Sequence, residues 1–167
     1  MTETTPAPHD WGEFDRRLGA MVREAAMLEL LLGLVAQMLC NSAYGALLIS
    51  GESSERLIRA CKTLIDVHTD IPEPQRLELR DLLKRSSEAF QERHRYVHGS
   101  AIPNSEGGIS NFRARRLKPG PEITPVDLEA LEQLAETLKT LTLDVTHWIA
   151  VTYGEDQGEP PSSATES

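Results

Sequence analysis

Aromatic residues are scarce: Phe, Trp and Tyr make up 5% of the 167 positions. The interior must therefore be built mainly from Leu, Ala, Val and Ile. Cysteine is nearly absent as well. Cys40 and Cys61 lie inside apolar runs without metal-type spacing, which argues against a cysteine metal cluster and makes both small buried hydrophobes. Positive charge is in deficit, with 17 Lys and Arg against 26 Asp and Glu and a net charge of −9. That balance excludes broad, sequence-independent coating of nucleic acid but leaves room for a local basic patch. Long uncharged apolar runs are missing too. The most apolar stretch, 25–40, is broken by Glu29 and Gln37 and is short for a bilayer span. The first ten residues are polar, carry Pro6 and Pro8, and show no secretory signal. The expectation is a cytoplasmic protein with no membrane contact.

The length suits one domain with a core of its own, and a Leu/Ala/Glu/Arg-rich composition points to helices. Residues 1–9 read as a disordered leader. Asp10 and Glu13 have the spacing of a capping box. Apolar residues then recur at helical intervals through Trp11, Phe14, Leu18, Met21, Val22, Ala25, Leu28, Leu32, Val35, Met38 and Leu39. From Met27 onward this helix is apolar nearly all round, as expected of one with several neighbours. Glu29 is out of place there. Its carboxylate either sits on the exposed edge of the helix or must reach a partner, water or a second chain. Residues 41–51 break the pattern, with a short helix around Tyr44 to Ile49. Ser53 or Ser54 can cap the next helix, whose stripe is Leu57, Ile58, Cys61, Leu64 and Ile65. A further long helix runs from about Glu73 into the stretch 92–100, with Leu79, Leu82, Leu83, Ala89, Phe90 and Val97 as its apolar positions and Arg and Lys on the opposite face.

Beyond Gly99, residues 101–108 are rich in turn formers, and 109–117 partly alternate as a short strand, extended arm or hairpin would. Thr124 is the expected N-cap of the last helix, with Pro125 at its first position. Leu128, Leu131, Leu134, Leu138, Leu141, Val145, Trp148 and Ile149 form its stripe, and Gly154 stops it. Residues 155–167 read as a disordered tail. The fold class is all-α: an antiparallel four-to-five-helix bundle over 10–154, with a short extended arm or hairpin before the last helix.

Chemistry concentrates in Glu92-Arg93-His94-Arg95-Tyr96-Val97-His98-Gly99. His94 and His98 are four apart and share a helix face. Arg93 and His98 are five apart and would point about 140° apart on an ideal helix. They share a site only if the helix end loosens, if Arg93 reaches round, or if a second protomer completes the site. A neutral imidazole can accept a proton near neutral pH, and a guanidinium can clamp phosphate oxygens. The two histidines could instead offer a metal two ligands, with Glu92 or Glu29 recruited as a third. Residues 93–118 also carry Arg93, Arg95, Arg113, Arg115, Arg116 and Lys118 against Glu106, six cations to one carboxylate and a net of +5. With the chain at −9, the other 141 residues sum to −14. Such a segment suits local phosphate binding or a solvated arm that protects an edge strand.

Arg93, His94 and His98, with Val97 and Gly99 around them at a helix end, resemble the Arg-x4-His signature of the HEPN superfamily. The long apolar first helix and the Leu-Ile-Ser-Gly segment at 48–51 are similar to its layout. The resemblance implies a homodimeric helical bundle with two copies of the signature at the interface. Many members are metal-independent endoribonucleases, often toxins or defence proteins, partnered by an antitoxin or a nucleotidyltransferase. On that pattern Arg93, His98 and His94 are the catalytic candidates and RNA is the substrate, cut by attack of its 2′-hydroxyl. Arg95, Arg113, Arg115, Arg116 and Lys118 are candidates for phosphate binding, and Glu29 and Tyr96 for supporting roles. No metal or other cofactor is expected. Other members keep the bundle without catalysis, so a dimeric interaction or nucleotide-binding regulatory module is the second expectation.

Overall fold

A computed structural model describes residues 10–105, 107–114 and 120–154. The expected leader at 1–9 and tail at 155–167 lie outside the described residues. Helix α1 (Trp11–Cys40) begins where the Asp10 carboxylate accepts from the Glu13 N–H at 2.9 Å. Only half of the capping box forms, because Glu13 turns its own carboxylate to Arg16 and Arg17. The helix ends at Asn41, which takes the left-handed conformation (φ 43°) that Asn tolerates. Then follow α2 (Ala43–Ile49), α3 (Ser54–Val67) and α4 (Glu73–Val97). Strands β1 (Ser100–Pro103), β2 (Ile109–Ala114) and β3 (Pro121–Pro125) precede α5 (Leu128–Tyr153).

The described part is mostly helical. Helix α1 packs along α5 and also meets α2, α3 and α4, while α4 packs against α3 and α5. Most of the expected stripes are buried, with Met21, Leu28 and Leu32 from α1, Ile65 from α3, Leu79 and Leu83 from α4, and Leu131, Leu138 and Leu141 from α5, but Val22 of the expected α1 stripe is exposed. Trp148 is the one large aromatic fully enclosed, and its indole N–H donates to the Gln75 carbonyl at 2.8 Å. Cys61 behaves as a small hydrophobe. It is fully buried with its thiol 3.6 Å from the Leu32 carbonyl, and burial pushes its pKa up to about 12. Cys40 is a half-buried free thiol.

The sheet exceeds the expected arm. Three strands pair antiparallel in the order β1-β2-β3. Strand β1 has only four residues, and β3 is bounded by prolines, so neither has room for a clear alternation. The expected cap of the last helix is corrected. Thr124 and Pro125 belong to β3, opposite Asn111 and Ser110. The N-cap is Asp127, whose carboxylate accepts from the N–H groups of Glu129 and Ala130 at 2.9 and 3.2 Å. Pairing with β2 holds Thr124–Pro125 extended, and proline is tolerated there because β3 is an edge strand.

Helix α2 buries none of its residues. Its Tyr44, Leu47 and Leu48 are 74–83% exposed, and Leu30 and Leu34 of α1 are exposed as well. Among the described residues no helix is long and apolar enough to cross a membrane.

Candidate functional site

The site is built on the unwinding end of α4. The helix stops at Val97, and His98 stands at the C-cap with φ −104° and ψ 16°, away from helical values. Its N–H still bonds to the His94 carbonyl at 3.3 Å. The two imidazoles therefore stay together, with ring centroids 4.1 Å apart and planes tilted by 46°. Arg93 lines the same cleft as His98, although an ideal helix would separate them by about 140°. One chain is enough to set both on the same cleft.

Gly99 and Asn111 fix where that end lies. The Asn111 side-chain amide, carried by β2, donates to the Arg95 carbonyl, one of the last-turn carbonyls that a helix leaves unsatisfied. A Cβ on Gly99 would overlap the same amide. Gly99 is thus required for close approach, not for a left-handed backbone.

The cleft has a volume of about 700 Å³. On α4 it is lined by Ser87, Gln91, His94 and His98, a stripe spaced four, three and four residues apart, flanked by Arg93 and Arg95. Arg113 enters from β2 and Glu29 from α1. The opposite wall is the first turn of α3, at Ser53, Ser54 and Glu55. Its N-cap, Ser53, makes no side-chain bond to the turn. The unbonded first-turn N–H groups of α3 add partial positive charge there.

The charges are unevenly committed. Arg95 pairs with Glu92 at 2.8 Å, and Glu55 with Arg59 at 2.7 Å. Among the described residues Arg93 makes no ion pair, and its Nε is buried without a hydrogen-bond partner. A buried, unsatisfied guanidinium nitrogen costs free energy unless a ligand supplies an acceptor. The His94 pKa is lowered, first by burial and then by His98, Arg113 and Arg93. His94 is consequently neutral at neutral pH. Glu29 is half-buried rather than fully exposed at a helix edge, and lines both this cleft and a second one beside Gly33 and Leu34.

Of the residues expected from the sequence, Arg93, His94, His98, Arg95, Arg113 and Glu29 come together. Tyr96 does not join them. It packs on another side of α4 against the core, near Phe14 and Leu18, where burial raises its pKa. Arg115, Arg116 and Lys118 lie outside the described residues. Ser87, Gln91 and Asn111 are additions. The first two could have been found by extending the His94–His98 stripe back along the helix. Asn111 depends on a β2 register that the sequence does not display. Among the described residues no three His, Cys, Asp or Glu side chains are grouped to hold a metal ion, so neither Glu29 nor Glu92 completes a triad with the histidines. No family model, curated protein or solved structure matches the chain.

Proposed function

We propose that this cleft is the active site of a metal-independent endoribonuclease of HEPN type. The observation that carries the proposal is Arg93: a guanidinium in an open cleft, without an ion pair among the described residues, its Nε buried and unsatisfied, beside two imidazoles in contact. Among the described residues Arg93 lines the cleft without a carboxylate partner, and a clamp of its guanidinium on non-bridging phosphate oxygens stabilises the charge that develops during phosphoryl transfer.

His98 takes the proton from a ribose 2′-hydroxyl. The 2′-oxygen bonds to the adjacent phosphorus, the bond from phosphorus to the 5′-oxygen breaks, and His98 returns the proton to that leaving oxygen. The products are a 2′,3′-cyclic phosphate and a 5′-hydroxyl. His94 is exposed, with its pKa lowered by partial desolvation and by His98, Arg113 and Arg93 around it, which makes it unsuited to protonating the leaving group. It orients His98 and prevents a second positive charge from competing with the transferred proton. Arg95 and Arg113 carry the flanking phosphates.

We read the helix packing as an antiparallel bundle and the exposed apolar surface of α1 and α2 as the face that a second copy covers. Leu30, Leu34, Tyr44, Leu47 and Leu48 are exposed apolar side chains on these two consecutive helices, and exposed apolar surface of this kind marks an interaction site when it is contiguous.

Purified protein is expected to cut single-stranded RNA in EDTA, and Arg93→Ala and His98→Ala to lose cutting without losing helicity. RNA left uncut by protein that binds a nucleotide or partner would favour the non-catalytic regulatory module instead.

A further inference from the structure

A second cavity adjoins the first and has no part in the chemistry described above. It measures about 310 Å³, near the lower end of small-molecule pockets. The sheet register explains its composition. Arg113 of β2 stands opposite Glu122 of β3, and Asn111 opposite Thr124, so residues of one sheet face meet the Glu92, Arg95 and Tyr96 face of α4. Arg95 and Arg113 line both cavities. They form the partition between the histidine cleft and this pocket.

We infer that the pocket is a guanine subsite for a nucleotide adjoining the phosphate in the histidine cleft. The inference rests on the reading of that cleft as a nucleic-acid site. A phosphate held at the two shared guanidiniums leaves its nucleoside on the far side of the partition, within this pocket. Tyr96 and Pro125 supply apolar walls, and an aromatic side chain is a stacking surface for any base.

The polar groups select which base. The pocket is lined by Glu92 and Glu122 together with Arg95 and Arg113, and Glu92 reaches it already paired with Arg95 at 2.8 Å. A carboxylate only accepts hydrogen bonds, and a guanidinium only donates them. Guanine presents two donors on its pairing edge, the N1–H and the 2-amino group, and two acceptors, O6 and N7, on its major-groove edge. Adenine and cytosine offer a carboxylate one amino group beside a repelling ring nitrogen, and uracil offers one N–H between two carbonyls. With Arg95 and Arg113 given to the phosphate, the carboxylates make the selection, and guanine is the one base that meets a carboxylate with two adjacent donors.

The test is calorimetric binding of the four nucleoside monophosphates, in 3′ and 5′ forms, to the full chain and to H98A, E92Q and E122Q. A bidentate pair is worth roughly tenfold or more in discrimination. The full chain and H98A are expected to bind guanosine monophosphate about tenfold more tightly than the other three. E122Q or E92Q is expected to remove that preference while keeping phosphate-driven binding. Equal binding of all four, no binding, or a guanine preference untouched in both glutamine variants would overturn the subsite. RNA cleavage is read separately. Guanine-selective binding without cleavage sinks the nuclease reading and keeps the subsite, and cleavage with no base preference does the reverse.

Discussion

The Asn111 carboxamide fills the space that a side chain on Gly99 would need, and from there donates to the Arg95 carbonyl. The hairpin and the helix end are thereby locked together next to both histidines. Gly99→Ala must push Asn111 out, uncapping Arg95 and moving β2. A loss of about 1–3 kcal/mol is expected from such overpacking, together with loss of cleavage. Ser100→Ala, one residue on, should leave both nearly unchanged. Urea unfolding of the two variants checks this, and a Gly99→Ala protein as stable as the parent would disprove it.

The His94 ring should titrate below the ordinary imidazole range. Its pKa is lowered by burial, then by His98, Arg113 and Arg93. Removing one nearby positive charge in Arg113→Gln should let the value rise. Proton NMR of the His94 ring against pH measures both. A value unchanged in Arg113→Gln would show that Arg113 is not aimed as described.

His68 is an unexpected latch between α1 and α3. Its Nε2 lies 2.6 Å from the Leu39 carbonyl and its Nδ1 2.9 Å from the Asp70 carboxylate. Both partners only accept, so both bonds form fully only when the ring is protonated. Its pKa is accordingly raised, by the Leu39 carbonyl first and Asp70 second. A raised folded-state pKa stabilises fully below the unfolded value, about 6.5, and that stabilisation fades as pH rises through the folded value. The Asp70 pKa is lowered by the same contact, so its share is lost only under acid conditions. The stability gap between the parent and His68→Gln should therefore be wider at pH 6 than at pH 8.5. A gap that widens with pH would contradict the latch.

Ser86 is completely buried in the core stripe of α4, and its hydroxyl has no hydrogen-bond partner. Removing an unsatisfied buried hydroxyl relieves a desolvation penalty of order 1 kcal/mol. Ser86→Ala should therefore raise the unfolding midpoint. A clear drop would mean that the hydroxyl is satisfied after all.

The helices were legible because burial repeats with their own period: Leu79, Leu82, Leu83 and Phe90 fall on one side of α4 with Arg and Lys opposite. Ser86 sits in that stripe and breaks the apolar pattern, so composition alone would have left it outside the core. The sheet was harder to read. In β3 the five residues between and including Pro121 and Pro125 are all exposed, so no alternation of burial marks them. Thr124-Pro125 has the form of a helix start, yet pairing with β2 wins and Asp127 caps the helix. At the site, the shared face of His94 and His98 followed from their spacing. Arg93 joining them on one cleft did not, because the walls of that cleft come from α1, α3 and β2 as well as α4. Glu29 was visible as a misplaced carboxylate, but its position facing α4 and α3 follows from packing between distant segments.

The central claim is that Arg93 and His98 cut RNA through its own 2′-hydroxyl. The decisive measurement is the chemistry of the new ends left on a single-stranded RNA incubated with the protein in EDTA. The expected ends are a 2′,3′-cyclic phosphate and a 5′-hydroxyl, absent with Arg93→Ala and with His98→Ala. A 3′-hydroxyl and 5′-phosphate, or cutting no greater than that of His98→Ala, would contradict the claim.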